Sequence, residues 1–135
     1  MAYVSQEMKS KVSPVIKAIC KRYGIKGSLS VRDHRVLVLK ITEGKIDFIE
    51  NFNRTCGSNG WYARNGFNPQ KDYLDVNPYH FRDHFDGVAK QCLIEILEAM
   101  NTGNWDESDI QTDYFNVGWY VDVKIGSWQK PYKVL

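Results

Sequence analysis

The apolar residues of this chain follow two different spacings, and the change between them restricts the fold to one that combines helices with strands. In residues 8–23 and 81–100 an apolar residue recurs at every third or fourth position, which is typical of an amphipathic helix. From Val117 to Ile125 apolar residues occupy every second position, which is typical of a strand with one buried face. The sequence therefore predicts an α+β fold, with two main amphipathic helices packed on one face of a small antiparallel β-sheet.

Length and composition indicate one globular domain that spans residues 1–135. Hydrophobic residues make up 43% of the chain, charged residues make up 25%, and the formal net charge is +2. A domain of this length buries enough apolar surface to fold without disulfides or metals. The sequence contains neither an apolar run long enough for a membrane span nor the apolar stretch of a signal peptide. We therefore expect a cytoplasmic protein that makes no contact with a membrane.

The first predicted helix, residues 5–23, contains a proline in its interior. Pro14 removes one backbone donor and its ring crowds the preceding turn. Either the helix kinks at Pro14, or Ser13 caps a second helix that has Pro14 at its first position.

A hairpin and a segment of ambiguous period follow this helix. Residues 28–32 and 36–41 predict two short strands that are joined by a tight turn at Asp33 and His34. The second of these strands is apolar on both faces, so we expect it to lie in the centre of the sheet. Residues 46–52 fit either a short helix or a further strand, because so short an apolar run carries no decisive period.

Residues from about 53 to 76 predict a long loop, because turn-forming Asn and Gly are frequent there. Its candidate binding side chains are Trp61, Tyr62, Arg64 and Phe67. Aromatic and arginine side chains dominate protein-binding hot spots, and the same residue types stack on the bases of single-stranded nucleic acid. A third interpretation is a small structural cluster packed beneath the loop.

The longest apolar stripe predicts a helix over residues 78–101, with a break near Asp86 and Gly87. His80 and His84 are four residues apart in this segment, a spacing that places two imidazoles on one helix face. They are weak metal candidates, because the glutamate of the His-Glu-x-x-His pattern is missing and a third ligand would have to come from elsewhere. We expect neither a metal nor another cofactor.

The three cysteines differ in their surroundings. Cys20 and Cys92 fall on the apolar stripes of the two helices, where a free cysteine packs as a small hydrophobic residue. Cys56 is expected in the polar loop beside Gly57. The odd number and wide spacing of the cysteines predict no disulfide or clip of the Cys-x-x-Cys type.

Charge is unevenly distributed along the chain. Residues 1–45 contain ten Lys and Arg but only three acidic residues, whereas residues 46–135 contain eight Lys and Arg and thirteen acidic residues. The candidate phosphate contacts in the basic part are Lys9, Lys17, Lys21, Arg22 and Lys26. The candidate acidic contacts are Glu95, Glu98, Asp106, Glu107, Asp109 and Asp113. The two parts either form separate charged faces that steer partners, or face each other and partly cancel.

Three stretches carry a resemblance to a known group of proteins. They are residues 30–32 (SVR), 46–52 (IDFIENF) and 113–122 (DYFNVGWYVD). These stretches resemble small proteins of tailed bacteriophages and related mobile elements, and they are similar to a domain class described as large polyvalent protein-associated. The resemblance implies helices on an antiparallel sheet and a protein that blocks a host system by binding one of its components. It implies no catalytic residues.

Three functions are compatible with these observations. The chain contains no phosphate-binding loop and no nucleophile elbow, so we expect a protein without catalysis. The first hypothesis is a phage or mobile-element protein that binds, and inhibits, a host defence or nucleic-acid-processing complex. The second is a nucleic-acid-binding module that uses the basic first third of the chain. The third is a metal-dependent hydrolase that uses His80 and His84.

Overall fold

The computed structural model describes residues 6–57, 64–66, 69–101 and 119–135. The helices are α1 (Gln6–Tyr23), α2 (Phe48–Gly57), α3 (Phe81–His84) and α4 (Gly87–Met100). The strands are β1 (Ile25–Arg32), β2 (Val36–Gly44), β3 (Leu74–Val76), β4 (Tyr120–Ile125) and β5 (Lys133–Val134). The α+β class that the two spacings predicted is confirmed.

The sheet is mixed, and the expectation of an antiparallel sheet is wrong for its central pair. Its strand order is β1-β2-β4-β3, with β5 beside the end of β2. β1 and β2 are antiparallel, as are β3 and β4, but β2 runs parallel to both β4 and β5. Parallel neighbours need a long crossover, and here the chain between β2 and β4 includes α2, α3 and α4. Alternation identifies a strand but carries no information about its direction.

The predicted hairpin and the central position of its second strand are both confirmed. The strands are joined by three residues, of which Asp33 and His34 have φ values of 54° and 59°, a left-handed conformation that fits the twist of the flanking strands. The backbone N–H of Arg35 donates to the carbonyl of Arg32 at 3.1 Å. β2 then lies between β1 and β4, so both of its edges are paired.

One face of the sheet packs against the helices and forms the core. β2 contributes Leu37, Leu39 and Ile41, which are buried together with Val123 and Ile125 of β4. The helical side of this cluster includes Val12, Ile16 and Ile19 of α1 and Cys92, Leu93 and Ile96 of α4. Cys20 is buried in the same cluster, which confirms the prediction for both helical cysteines.

Helix α1 continues through its proline. It extends from Gln6 to Tyr23 with Pro14 inside, so a separate helix that begins after Ser13 does not form. Pro14 is exposed, whereas the flanking apolar residues Val12 and Ile16 are buried. Packing of the apolar stripe on the sheet thus keeps one helix where the sequence alone left two possibilities.

The segment between residues 46 and 76 differs from the expected long loop. α2 begins at Phe48, where the Asp47 carboxylate accepts the N–H of Glu50 at 3.0 Å, and it continues to Gly57. Cys56 is fully buried in α2, so its assignment to a polar loop is wrong. At the other end of the expected loop, Leu74–Val76 form β3.

The last part of the chain closes the fold. α3 ends at His84 and α4 begins at Gly87, so the predicted break near Asp86 is confirmed. Trp119 is buried and donates its indole N–H to the carbonyl of Met100 at 3.0 Å. Val117 and Gly118, which the alternation included in the last strand, lie outside the described residues.

Candidate functional site

A groove with a basic rim lies between α1 and β1. It encloses a cavity of about 570 Å³, and the side chains of Lys9, Lys17, Lys21 and Lys26 line it. The three lysines of α1 share one helix face because they follow one another at multiples of four residues, with Ser13 between the first two. Four of the five basic residues selected from the sequence therefore surround one cavity.

The floor of this groove is apolar. Ile16 and Cys20 come from α1 and Ile25 from β1, and all three are buried, while Leu29 of β1 is half-buried. These side chains belong to the core or pack against it, so the floor is rigid and continuous with the interior. A ligand that enters the groove meets hydrocarbon below and ammonium groups above.

The groove also borders one edge of the sheet. β1 pairs with β2 from Ile25 to Arg32, and no other strand of the described residues pairs with β1. An edge strand directs alternate backbone N–H and C=O groups away from the sheet, where they are available to a further strand. The side chain of Ser28 and the backbone of Gly27 lie along this edge of the groove.

The positive charge of the rim is only partly compensated. Lys26 pairs with Glu43 at 3.3 Å. Lys9, Lys17 and Lys21 have no ion-pair partner among the described residues. Lys17 and Lys21 are exposed to solvent, and Lys9 is half-buried. The rim therefore favours an anionic partner.

Arg22, the fifth basic candidate, does not line the groove. Its guanidinium binds the carboxylate of Glu95 on α4, and the Tyr23 hydroxyl donates to the same carboxylate. The Tyr23 hydrogen bond, followed by the contacts of Arg22, holds the pKa of Glu95 below its usual range. These contacts connect α1 to α4.

The structure describes two of the six predicted acidic contacts, and one of these two is paired inside the protein. Glu95 takes part in the internal pair with Arg22, whereas Glu98 is exposed on α4. A second pair joins the two oppositely charged parts of the chain, since Arg32 contacts Asp122 at 3.4 Å. Asp106, Glu107, Asp109 and Asp113 lie outside the described residues. The basic and acidic parts of the chain therefore cancel locally, while the lysines of the groove stay apart from these pairs.

Of the candidate binding residues in the expected loop, the structure describes only one. Arg64 is exposed, and Trp61, Tyr62 and Phe67 lie outside the described residues. Their role in binding remains a prediction.

The two histidines do not form a metal site with other described residues. His80 is the residue immediately before α3 rather than part of the helix, and it remains near enough to contribute, after burial, to the lowered pKa of His84. The ring of His84 packs edge-on against Phe52, with 5.7 Å between ring centroids, and burial lowers the pKa of this imidazole. In the described ranges no three His, Cys, Asp or Glu side chains come together as metal ligands.

The cysteines are also poor candidates for chemistry. Burial raises the pKa of Cys92 to about 12 and raises the pKa of Cys20 and of Cys56. A thiol is nucleophilic only as the thiolate, so burial suppresses the reactivity of all three side chains at neutral pH.

A second cavity differs in character from the groove. It has a volume of about 630 Å³ and lies between α2 and the C-terminal segment. Its lining mixes Asp47 and Glu50 with Arg54 and Lys71, and Arg54 is held by Glu50 at 3.4 Å and by Asp86 at 2.8 Å. Because its charges are of both signs and partly paired inside the protein, it shows no preference for one class of ligand.

Comparisons with known proteins add no family to these observations. No protein-family model, no curated protein and no solved structure matches the chain. The described helices include none with the length and apolar character that a membrane crossing requires.

Proposed function

We propose that this protein is a non-catalytic binding protein that docks a segment of another protein in the groove between α1 and β1. The observation that carries the proposal is the combination, around one cavity, of a lysine rim, an apolar floor and a strand edge with which no described strand pairs. A protein segment uses all three features, because it offers carboxylates, apolar side chains and backbone hydrogen-bonding groups together. In line with the resemblance to small phage proteins, the partner is a component of a host complex in the bacterial cytoplasm, which the bound protein inhibits.

Nucleic acid is the second candidate partner, because Lys9, Lys17 and Lys21 lie on one face of α1 along the groove, at intervals of eight and four residues. Phosphates contact such a row of ammonium groups, and the affinity then falls steeply with salt. The apolar floor contributes nothing to a phosphate backbone, and for that reason a protein segment is the first choice.

Photo-cross-linking from inside the groove separates the two partners. We would replace Ser28 with a benzophenone amino acid, irradiate the full-length protein in host-cell extract at physiological salt, and identify the products. We expect a discrete protein adduct. The matched control carries the same photoreactive residue at Tyr79, which is 75% exposed and does not line the groove.

The charge of the rim provides the second control. The variant Lys17→Glu/Lys21→Glu should lose the adduct formed from position 28, whereas Lys130→Glu/Lys133→Glu, with an equal change of charge on exposed C-terminal residues, should retain it. A nucleic-acid adduct at position 28, or a protein adduct that survives the rim variant, would contradict the proposal.

A further inference from the structure

We propose that the face of the sheet opposite the helices binds the phosphate group of a small molecule. A cavity of about 460 Å³ is lined by Arg32 of β1, Lys40 of β2 and Lys124 of β4. Three cationic side chains from three neighbouring strands thus border one cavity. The inference goes beyond the proposed function, because it concerns a different cavity and needs no protein partner.

Alternation along the strands places the three cations on one face of the sheet. The residues on either side of Lys40, and those on either side of Lys124, are buried in the core that the helices share. Arg32 follows Val31, which packs against the same core. Because successive side chains of a strand point to opposite faces, all three cations lie on the face away from the core.

Two of the cations are direct neighbours across the sheet. Lys40 and Lys124 are partners in the parallel register of β2 and β4. Adjacent strands lie about 4.8 Å apart, and like charges at neighbouring positions repel each other. An anion held between the two ammonium groups would replace this repulsion by attraction, so the pair favours a bound anion.

Neighbouring carboxylates compensate this charge only in part. Asp122 lies 3.4 Å from Arg32 and 3.7 Å from Lys124, and Asp75 lies 3.4 Å from Lys124. Strong charge-assisted hydrogen bonds are shorter, at about 2.7–2.9 Å, so these contacts hold the cations loosely. Lys40 is exposed and has no ion-pair partner among the described residues. Three cations therefore face two carboxylates, and positive charge is left for a ligand.

The number and type of donors favour phosphate over carboxylate. A phosphate ester offers three terminal oxygens and nearly two negative charges, whereas a carboxylate has only two oxygens. The guanidinium of Arg32 matches the geometry of a phosphate, and the Ser30 hydroxyl in the cavity lining is a further donor. The volume of the cavity falls in the range of about 300–1,000 Å³ that small-molecule sites occupy.

Titration of the full-length protein with uridine monophosphate tests the inference. Calorimetry and backbone amide chemical shifts follow the binding at constant low ionic strength. We expect saturable binding, with the largest shifts in residues 30–32, 38–40 and 124–127, and affinity weaker by about tenfold in Lys40→Gln/Lys124→Gln. The matched control, Lys45→Gln/Lys133→Gln, removes the same charge from exposed residues that do not line the cavity, and it should bind as the wild type does.

Two further variants test the roles of single side chains. Lys40→Gln alone leaves the described ion pairs intact, so it should fold normally and still weaken binding by about threefold. Asp122→Asn removes the carboxylate that competes for the cations, and it should bind the probe more tightly than the wild type does. Wild-type affinity in Lys40→Gln, or loss of binding in Lys17→Gln/Lys21→Gln instead, would overturn the inference.

Comparison of several probes identifies the source of the phosphate group. Uridine lacks this group and should not bind, so affinity for uridine equal to that for uridine monophosphate would refute the inference. Tighter binding of uridine monophosphate than of inorganic phosphate assigns the site to a phosphate ester, and equal binding assigns it to free phosphate. If a single-stranded thymidine oligonucleotide shifts these amides while both small probes do not, the site belongs to nucleic acid and the inference is wrong.

Discussion

At the scale of single residues, Asn51 connects α2 to the segment between α3 and α4. Its side-chain amide donates to the carbonyl and the carboxylate of Asp86, at 3.1 and 2.9 Å, and its amide oxygen accepts the N–H of Asp86 at 2.9 Å. Arg54 contacts both oxygens of the same carboxylate at 2.8 and 2.9 Å and keeps the pKa of Asp86 below its usual range. The break between α3 and α4 is thereby attached to α2.

Replacement of Asn51 by Ala should therefore destabilise the fold. We expect the free energy of unfolding to fall by about 1.5 kcal/mol, because three hydrogen bonds are lost and water replaces them only in part. Urea denaturation followed by circular dichroism measures the change. Gln91→Ala, an exposed substitution on α4, serves as the control, and equal stability of the two variants would show that Asn51 has no such role.

The pKa of Glu95 makes a second prediction at this scale. The carboxyl has a lower pKa in the folded protein, chiefly through the Tyr23 hydrogen bond, so its contribution to stability is present above the unfolded pKa and is lost as the pH falls through the folded one. Glu95→Gln should reduce stability at neutral pH, and its difference from the wild type should shrink below about pH 4.5. Denaturation curves at several pH values test this, with Asp72→Asn as an exposed control. A difference independent of pH would contradict the assignment.

At the scale of elements, α1 tolerates Pro14 because its apolar face is anchored. Val12 and Ile16 flank the proline in sequence, and both are buried against the sheet. A proline in a helix interior removes one hydrogen bond and crowds the preceding turn. Since Pro14 itself is exposed, no packing depends on its ring.

Pro14→Ala should therefore stabilise the protein. We expect a gain of about 2 kcal/mol in the free energy of unfolding, because the loss of proline's rigidity in the unfolded chain offsets only part of the benefit. Thermal unfolding measures the gain. The comparison variant is Ala18→Gly, also exposed on α1, which should destabilise by about 1 kcal/mol. A neutral or negative effect of Pro14→Ala would mean that the proline serves the groove or the entry of the helix.

The elements also show where sequence patterns stop being informative. The alternation from Trp119 to Ile125 identified β4, and the stripe over residues 81–100 identified the helical segment that forms α3 and α4. The segment 46–52 stayed ambiguous because α2 presents only one short apolar face, and the frequent Asn residues after it obscured the extension to Gly57. The three residues of β3 are too few to show a period, and only their pairing with β4 defines them as a strand.

At the scale of the whole molecule, the C-terminal residues connect distant parts of the chain. The backbone N–H of Tyr132 donates to the carbonyl of Asp72 at 2.8 Å, and its hydroxyl donates to the carbonyl of Ile46 at 2.6 Å. The ring packs edge-on against Phe48, and burial raises the pKa of the hydroxyl. β5 then pairs with the end of β2.

Removal of residues 131–135 should accordingly weaken the entire fold. We expect the free energy of unfolding to fall by about 4 kcal/mol, since a buried aromatic side chain and several hydrogen bonds are lost together. Trp128→Ala alters a side chain that is 79% exposed in the same segment, and it should change stability by no more than about 0.5 kcal/mol. If the truncated chain and the Trp128 variant denature at the same urea concentration, the C-terminal segment is not part of the cooperative core.

The candidate groove illustrates the limit of prediction for the site. The basic character of Lys9, Lys17, Lys21 and Lys26 was evident from the sequence. The separation of Arg22 from this set was not, because its partner Glu95 is 73 residues away along the chain. Nor does any local pattern show that β1 lies at the end of the strand order beside α1, because the position of a strand in a sheet is defined only by its pairing with other strands.

The sequence by itself determined the elements whose burial repeats with a regular period: the long helical segments, the hairpin and β4. It did so because a side chain's position along a helix or strand dictates which face it occupies. The tertiary structure alone decided the parallel direction of β4, the helix that buries Cys56, and the gathering of four lysines around an apolar cavity. Those features depend on contacts between residues far apart in the chain, which no local spacing encodes.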